Sequence, residues 1–82
     1  MTDGAIEATS LVQLCVQRLR HEILSGMLSP GSRLIEEQLT ARFGISRAPL
    51  REALRELAQH GLIDHLPRRG ARVAQLSADE AR

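Results

Sequence analysis

Arginine is the side chain with the most specific chemistry in this sequence, and its distribution is uneven. Residues 42–82 hold eight arginines and five acids, a net charge of +3, whereas residues 1–41 hold three arginines and five acids, a net charge of −2. The sequence contains no lysine, which the codon bias of a GC-rich genome would also explain. A guanidinium is a planar fork of N–H donors that fits phosphates and guanine edges. The second half of the chain is therefore the candidate for an anion-binding surface.

The first arginine cluster lies at the start of a helical pattern, over residues 46–55. Arg47 and Arg51 can reach the O6 and N7 atoms of guanine, or a phosphate, and Ala48 can lie against a thymine methyl group. Ser46 and the unpaired N–H groups of a first helical turn can hold a phosphate. Arg55, a further turn along, is expected to contact backbone phosphate rather than bases. The candidate DNA-binding residues of this cluster are Ser46, Arg47, Ala48, Pro49, Arg51 and Arg55.

The second arginine cluster lies at a predicted hairpin turn. Arginine is favoured in narrow minor grooves, and a glycine lets the backbone approach closely. The candidate DNA-binding residues here are Arg68, Arg69, Gly70 and Arg72.

Each cluster alone has a simpler interpretation. An exposed helix face on which Glu52 pairs with Arg55 is ordinary surface, and an Arg-Arg-Gly turn is a weak signal. Together the clusters occupy the two places where a winged helix touches DNA.

The other reactive side chains form no catalytic or metal-binding pattern. The three histidines, at 21, 60 and 65, come without paired cysteines or a second histidine four residues away. Cys15 is the single cysteine, so an internal disulfide and a cysteine-cluster zinc site are excluded. It falls on the apolar face of a predicted helix, where we expect a small buried hydrophobe rather than a reactive thiol. We expect no enzyme activity, no cofactor and no metal.

Three stretches with apolar residues at three- and four-residue steps must position these clusters, and they predict three helices. The first runs from Ser10, a natural N-cap, to a glycine stop at Gly26. The second starts at 35 or 36 and ends at Phe43, and the third covers 47–60 with Ser46 as its cap. The apolar stripes are Val12, Cys15, Val16, Leu19 and Ile23, then Leu39 and Phe43, then Leu50, Ala53, Leu54, Leu57 and Ala58.

The Gly44-Ile45 turn between the second and third helices predicts a helix-turn-helix, whose second helix places its N-terminal residues in the major groove. Two acids, Glu36 and Glu37, favour the positive end of the second helix. Residues 62–67 and 71–76 predict the strands of a β-hairpin with its arginines at the tip, and 32–34 a possible short strand. The predicted fold is mainly α with a small β-hairpin, a winged helix-turn-helix of three helices plus a wing.

The chain has the length of one domain. Residues 1–9 show no periodicity and are predicted to be a disordered arm, and residues 10–76 to form the winged helix-turn-helix domain. At 77–82 a serine and a glutamate stand at capping-box spacing, which predicts the start of a linker or further helix, although a frayed polar tail is the other interpretation. No apolar run approaches the roughly 18 residues of a membrane span, and no secretory signal is present, so we expect a cytoplasmic location.

Three blocks of residues, with their spacing intact over residues 11–77, resemble the GntR family of transcription regulators. They include Pro30-Gly31-Ser32-Arg33-Leu34, Gly44-Ile45-Ser46-Arg47-Ala48-Pro49-Leu50-Arg51-Glu52-Ala53-Leu54 and Arg69-Gly70-Ala71-Arg72-Val73. Glu37, the Ser-Arg-x-Pro at 46–49 and the ending at 76–79 look most similar to the FadR-type branch. Some relatives carry a basic DNA contact at the position of Glu37, and this sequence lacks it.

The resemblance implies a sequence-specific reader of double-stranded DNA in a transcription regulator, which we expect to be a repressor, with one helix in the major groove and the wing at the minor groove. It also implies an effector-binding, dimerising C-terminal domain beyond residues 77–82. A full-length parent is then expected to be a homodimer on a palindromic operator, and this chain alone a monomer or weak dimer. The alternative is a winged helix used for protein–protein contact. A third interpretation, RNA binding, is disfavoured by the lack of aromatic stacking residues.

Overall fold

The computed structural model describes residues 3–66, 68 and 70–75, with side chains from Thr9 onward. The elements in chain order are α1 (Asp3–Ser25), β1 (Arg33–Leu34), α2 (Glu36–Phe43), α3 (Arg47–Gln59), β2 (Ile63–Leu66) and β3 (Gly70–Val73). The strands form one antiparallel sheet in the order β1-β3-β2. Three helices and a small hairpin confirm the predicted fold class. The predicted linker or helix at 77–82 lies outside the described residues.

The core lies where α1 and α3 pack on each other and on one face of the sheet. The largest fully buried side chains are Leu19, Leu50, Leu54, Leu57 and Val73. The predicted stripe of α3 is buried except for Ala58, which is half-buried. Cys15 is 5% exposed and packs within this core, so its predicted role as a small buried hydrophobe is confirmed. Packing on this hydrophobic core therefore fixes the orientation of the exposed sides of α2 and α3.

The predicted start of the first helix is wrong. α1 begins at Asp3, so Ser10 lies inside the helix, and the predicted disordered arm at 1–9 is helical over residues 3–9. Missing apolar periodicity indicates that a segment buries no face, but it does not prevent helix formation. Two alanines and a glutamate in this segment have high helix propensity, and extending a helix that packing has already nucleated needs no second nucleus.

A glycine makes the sharp turn between α2 and α3. Gly44 adopts φ 67°, the left-handed region that glycine enters without a Cβ clash, and its N–H donates to the Thr40 carbonyl at 2.8 Å. The Ile45 N–H donates to the same carbonyl at 3.2 Å, and its half-buried side chain packs against the core. These contacts fix the direction in which α3 leaves α2, as the Gly-Ile turn predicted.

The sheet has an inner face that joins the core and an outer face that does not. β3 pairs with β2 through Ile63 opposite Val73, and with β1 through Leu34 opposite Ala71, and these four residues are buried. Side chains alternate across a strand, so Arg72 lies on the outer face. The strands are shorter than the predicted 62–67 and 71–76. β3 begins one residue early, at Gly70, and ends at Val73.

A buried acid joins α1 to α2, and the sequence analysis did not predict it. Glu22 is 2% exposed, and its carboxylate accepts from Arg42 and, at 3.4 Å, from Arg18. The Arg42 guanidinium also lies 4.8 Å from the centre of the Phe43 ring. A buried carboxylate without such partners would strongly destabilise the fold. The Arg42–Glu22 ion pair therefore ties the end of α2 to the last turn of α1.

Candidate nucleic-acid interface

The N-terminal end of α3 is open to solvent. Ser46 is the N-cap, as predicted, with extended backbone angles of φ −80° and ψ 173°, but its hydroxyl makes no capping hydrogen bond. The first N–H groups of an α-helix have no acceptor within the helix, and the helix dipole makes this end attractive to anions. A phosphate can therefore be bound at the start of α3.

Arginines occupy the side of α3 that its buried stripe leaves exposed. Arg47, Arg51 and Arg55 are all exposed and follow one another at four-residue steps, which place neighbouring side chains on one side of a helix. The buried residues of the same helix are Leu50, Ala53, Leu54 and Leu57. The structure brings these three predicted site residues together on one solvent-facing surface.

Arg51 is held by a carboxylate from α2. Its Nε and Nη2 groups donate to Glu36 Oε2 and Oε1 at 2.9 and 3.1 Å. This hydrogen bonding, reinforced by the charges of Arg51, Arg47 and His65 against some desolvation, holds the pKa of the Glu36 carboxyl below its ordinary value. The same hydrogen bonds raise the pKa of Arg51. Glu36 is therefore a charged member of the surface, and Arg51 has a defined orientation before any ligand arrives.

Arg55 has a weaker partner. Its Nη1 donates to Glu52 Oε1 at 2.6 Å, and the two side chains are 61% and 60% exposed. Exposed ion pairs contribute little to stability, typically about 0–1 kcal/mol. This is the pairing of the ordinary-surface interpretation, and it is weak enough for a phosphate to replace. The role of Arg55 in DNA binding stays a prediction.

Ala48 and Pro49 lie toward α1 rather than beside the arginines. Ala48 is exposed and Pro49 half-buried, and both line a shallow depression together with Thr9 and Val12 of α1. A contact between the Ala48 methyl group and a base is sterically open. Pro49 therefore lies where the first turn of α3 meets α1.

The tip of the hairpin carries the second predicted cluster. Arg68 is exposed and has φ 62°, a left-handed conformation unusual for a residue with a Cβ atom. Gly70 is exposed, has φ 87° and stands opposite Leu66 in the register. An ideal Cβ at Gly70 would meet no atom of the described residues within 4 Å, so these residues leave the space beside it open to a ligand. Arg69, the third predicted residue of the tip, lies outside the described residues.

Arg72 is not brought to the same side as the arginines of α3. It stands opposite Arg33 and Asp64 in the register, on the outer face of the sheet, and its Nε is 3.7 Å from Asp64 Oδ2. His65 is exposed, stands opposite the inward-facing Ala71, and lies close enough to Glu36 to lower its pKa. β2, the strand that carries His65, packs against α3. Arg72 as a DNA-binding residue stays a prediction.

Glu36 is the member of this surface that the sequence analysis missed. It was interpreted only as an acid favoured in the first turn of a helix, and its neighbour Glu37 satisfies the same description. The two differ in their surroundings, because Glu36 is half-buried beside Arg51 whereas Glu37 is exposed. The one available signal is topological, since the start of the first helix in a helix-turn-helix faces the second helix.

The described residues offer few other chemical possibilities. Among them, no three histidine, cysteine or acidic side chains are grouped closely enough to hold a metal ion. Within the same ranges, no helix combines the length and the apolar character that crossing a membrane requires.

Comparisons with known proteins fit this surface. The family model described as "Bacterial regulatory proteins, gntR family" matches residues 11–73 of this chain. The HTH-type transcriptional repressor RspR of Escherichia coli (strain K12) is 41% identical over 64 residues, which are 78% of this chain and 28% of that protein. A putative transcriptional regulator GntR from Rhodococcus sp. RHA1 superposes with a TM-score of 0.81 at 32% identity, over 87% of this chain and 34% of that one. AraR(DBD) in complex with operator ORR3 superposes with a TM-score of 0.71 at 26% identity, over 78% of each chain.

Proposed function

The chain belongs to the gntR family of bacterial regulatory proteins, and we propose that it binds operator DNA with α3 in the major groove and the tip of its wing at the minor groove. One observation carries the proposal: Arg47, Arg51 and Arg55 share the exposed side of α3, beside an N-terminal end that is open to an anion. The operator complex of the structurally similar AraR domain supports the same use of this fold.

Within this proposal the residues divide between positioning on the backbone and reading bases. Arg47 and Arg51 contact guanine edges, for which the planar guanidinium is suited. Ser46 and the first N–H groups of α3 bind a phosphate, and Arg55 binds another in exchange for Glu52. Arg68 and Arg69 reach the minor groove from the wing. The complex is therefore specific through α3 and strengthened by the wing.

The chain spans less than a third of the length of the RspR repressor that it matches. Control of transcription by a whole protein therefore belongs to the proposal. We expect a repressor, which the name of that relative supports, acting as a homodimer on a palindromic operator. An effector-binding C-terminal domain and the FadR-type branch stay predictions from the sequence.

A duplex selected by the chain itself from a randomised double-stranded library provides the test. Arg47→Ala and Arg51→Ala should each weaken binding to that duplex by roughly 1–3 kcal/mol and weaken binding to a scrambled duplex much less. Fluorescence anisotropy measures both affinities over a series of salt concentrations. The salt slope of the wild type should be steep, because bound arginines release counterions from the DNA.

Arg18→Gln is the matched control. It removes one positive charge from α1, at a side chain that lies beside Phe43 rather than on the exposed side of α3, and leaves Arg42 on the buried Glu22 carboxylate. Its preference for the selected duplex should equal that of the wild type. The proposal fails if the wild type prefers no duplex over the scrambled one. It also fails if both alanine variants, with native circular dichroism spectra, bind like Arg18→Gln.

A further inference from the structure

We propose that Glu36 is a positioning residue for base recognition, holding the Arg51 guanidinium by one edge so that the opposite edge faces a guanine. The inference rests on the proposed function and assigns a role within it to a residue that does not itself read a base. It starts from an apparent contradiction: a carboxylate lies in the middle of a surface suited to polyanionic DNA.

The geometry of the pair defines which part of Arg51 is occupied. Glu36 accepts from Nε and from one hydrogen of Nη2, through its two separate oxygens, at 2.9 and 3.1 Å. A guanidinium has five N–H groups, and those left over include the parallel pair on Nη1 and Nη2 at its far end. That parallel pair is the fork that fits O6 and N7 of one guanine. Glu36 thus occupies the Nε–Nη2 side of the guanidinium and leaves its Nη1–Nη2 end available.

The pair is placed where orientation matters and where its contribution to stability is small. Arg51 is 56% exposed and Glu36 is 31% exposed, so the ion pair contributes little to the folding free energy. An unheld arginine side chain on a helix surface has many rotamers, and ordering it on binding costs free energy. Holding Arg51 through two hydrogen bonds to α2 fixes its direction before the DNA arrives.

Two further basic side chains lie near Glu36. Arg47 of α3 and His65 of β2 both lie close enough to help lower its pKa, so α3 and the wing both contribute to its surroundings. The carboxylate remains ionised among these basic side chains. It repels the phosphates of DNA whatever the base sequence. Removing its charge therefore has two effects of opposite sign: general affinity for DNA rises, and discrimination at one guanine falls.

The experiment compares Glu36→Gln with Glu37→Gln. Both variants remove one negative charge from the first turn of α2, so they alter net charge and helix dipole alike. The probes are the duplex selected by the wild type, a set of duplexes with one guanine at a time changed to adenine, and a scrambled duplex. The guanine whose replacement no longer matters in Arg51→Ala identifies the base that Arg51 reads.

At that guanine, the wild type and Glu37→Gln should discriminate against adenine by roughly tenfold. Glu36→Gln should lose most of this factor while binding the scrambled duplex at least as tightly as the wild type. In an Arg51→Ala background, adding Glu36→Gln should change discrimination no further, because Glu36 acts through Arg51. Circular dichroism and thermal melting establish that each variant is folded.

Each other outcome points to a specific error. Full guanine discrimination in Glu36→Gln overturns the positioning role. Loss of a base preference in Glu36→Gln that persists in the Arg51→Ala background overturns it too, since Glu36 would then contact a base directly. If Arg51→Ala changes no single-guanine preference while the wild type still selects a duplex, the inference fails and the proposed function stands. A wild type without any preference refutes the proposed function itself.

Discussion

At position 68 the backbone conformation favours glycine, whereas the proposed DNA contact requires the side chain of arginine. The residue adopts φ 62° at the tip of the wing, and a left-handed conformation costs a residue with a Cβ atom about 1 kcal/mol. Arg68→Gly and Arg68→Ala both remove the positive charge, but only glycine removes the backbone cost. We expect Arg68→Gly to be more stable than Arg68→Ala by about 1 kcal/mol in urea denaturation.

The same two variants should bind DNA alike. Each loses one arginine charge that lies between the phosphates of the minor groove in the proposed complex, which lowers the salt slope by about one unit relative to the wild type. Equal stability of the two variants would contradict a left-handed backbone at this position. A salt slope equal to that of the wild type in both variants would show that Arg68 stays away from the phosphates.

Single residues were predictable where their role follows from local spacing. Arg47 and Arg51 stand on the exposed side of α3 because the apolar stripe of the same helix fixes which side is buried, and the sequence contains both facts. Glu36 meets Arg51 from another helix, across fifteen positions, and the angle between α2 and α3 decides that contact. Burial of Glu22 likewise depends on how closely α1 and α2 approach.

At the scale of elements, α3 is the helix on which the packing depends most. Leu54 is 2% exposed between α1 and the sheet, so Leu54→Ala should leave a cavity and lower the free energy of unfolding by about 2–5 kcal/mol. The control is Leu14→Ala, the same change at a side chain that is 62% exposed on α1, where the expected loss is below about 0.5 kcal/mol. Urea denaturation followed by circular dichroism measures both. Comparable losses in the two variants would contradict this core.

Element boundaries were predictable where packing and breakers coincide. α2 and α3 start and end within one residue of their predicted limits, because an apolar stripe and a glycine mark each of them. α1 ends at its glycine as predicted, yet it starts seven residues before the predicted cap. That first part has no stripe to reveal it, and helix propensity alone is a weak signal.

For the whole molecule, the exposed apolar side chains are too scattered to form a stable interface. Those on the described surface are Leu11, Leu14, Leu24, Met27 and Ile35. The first two lie in the N-terminal half of α1, the next two near its end, and the last beside α2. A stable interface usually buries about 800 Å² on each partner. Sedimentation equilibrium at micromolar concentration should therefore give the mass of one chain. A tight dimer would show that the chain has a stable interface despite this scatter.

A second property of the whole chain follows from the burial of Cys15. Burial raises the pKa of its thiol from an ordinary value of 9.0 to about 11, and the sequence contains neither tyrosine nor lysine. Arginine keeps its proton throughout this range, so Cys15 is the side chain that titrates between about pH 9 and 11. The unfolded chain loses this proton first. The folded state therefore has its full contribution from the neutral thiol below pH 9.0 and loses it as the pH rises toward 11.

Urea midpoints measured from pH 8 to 10.5 should consequently fall with pH in the wild type and fall less in Cys15→Val, which has no thiol to ionise. Parallel curves for the two proteins would contradict the raised pKa. In most proteins the loss of stability at alkaline pH has contributions from the ionisation of many phenol and amine groups. Here the loss would report the ionisation of one buried thiol, that of Cys15. Urea denaturation at several pH values would therefore report how tightly α1 stays packed in any other variant of this chain.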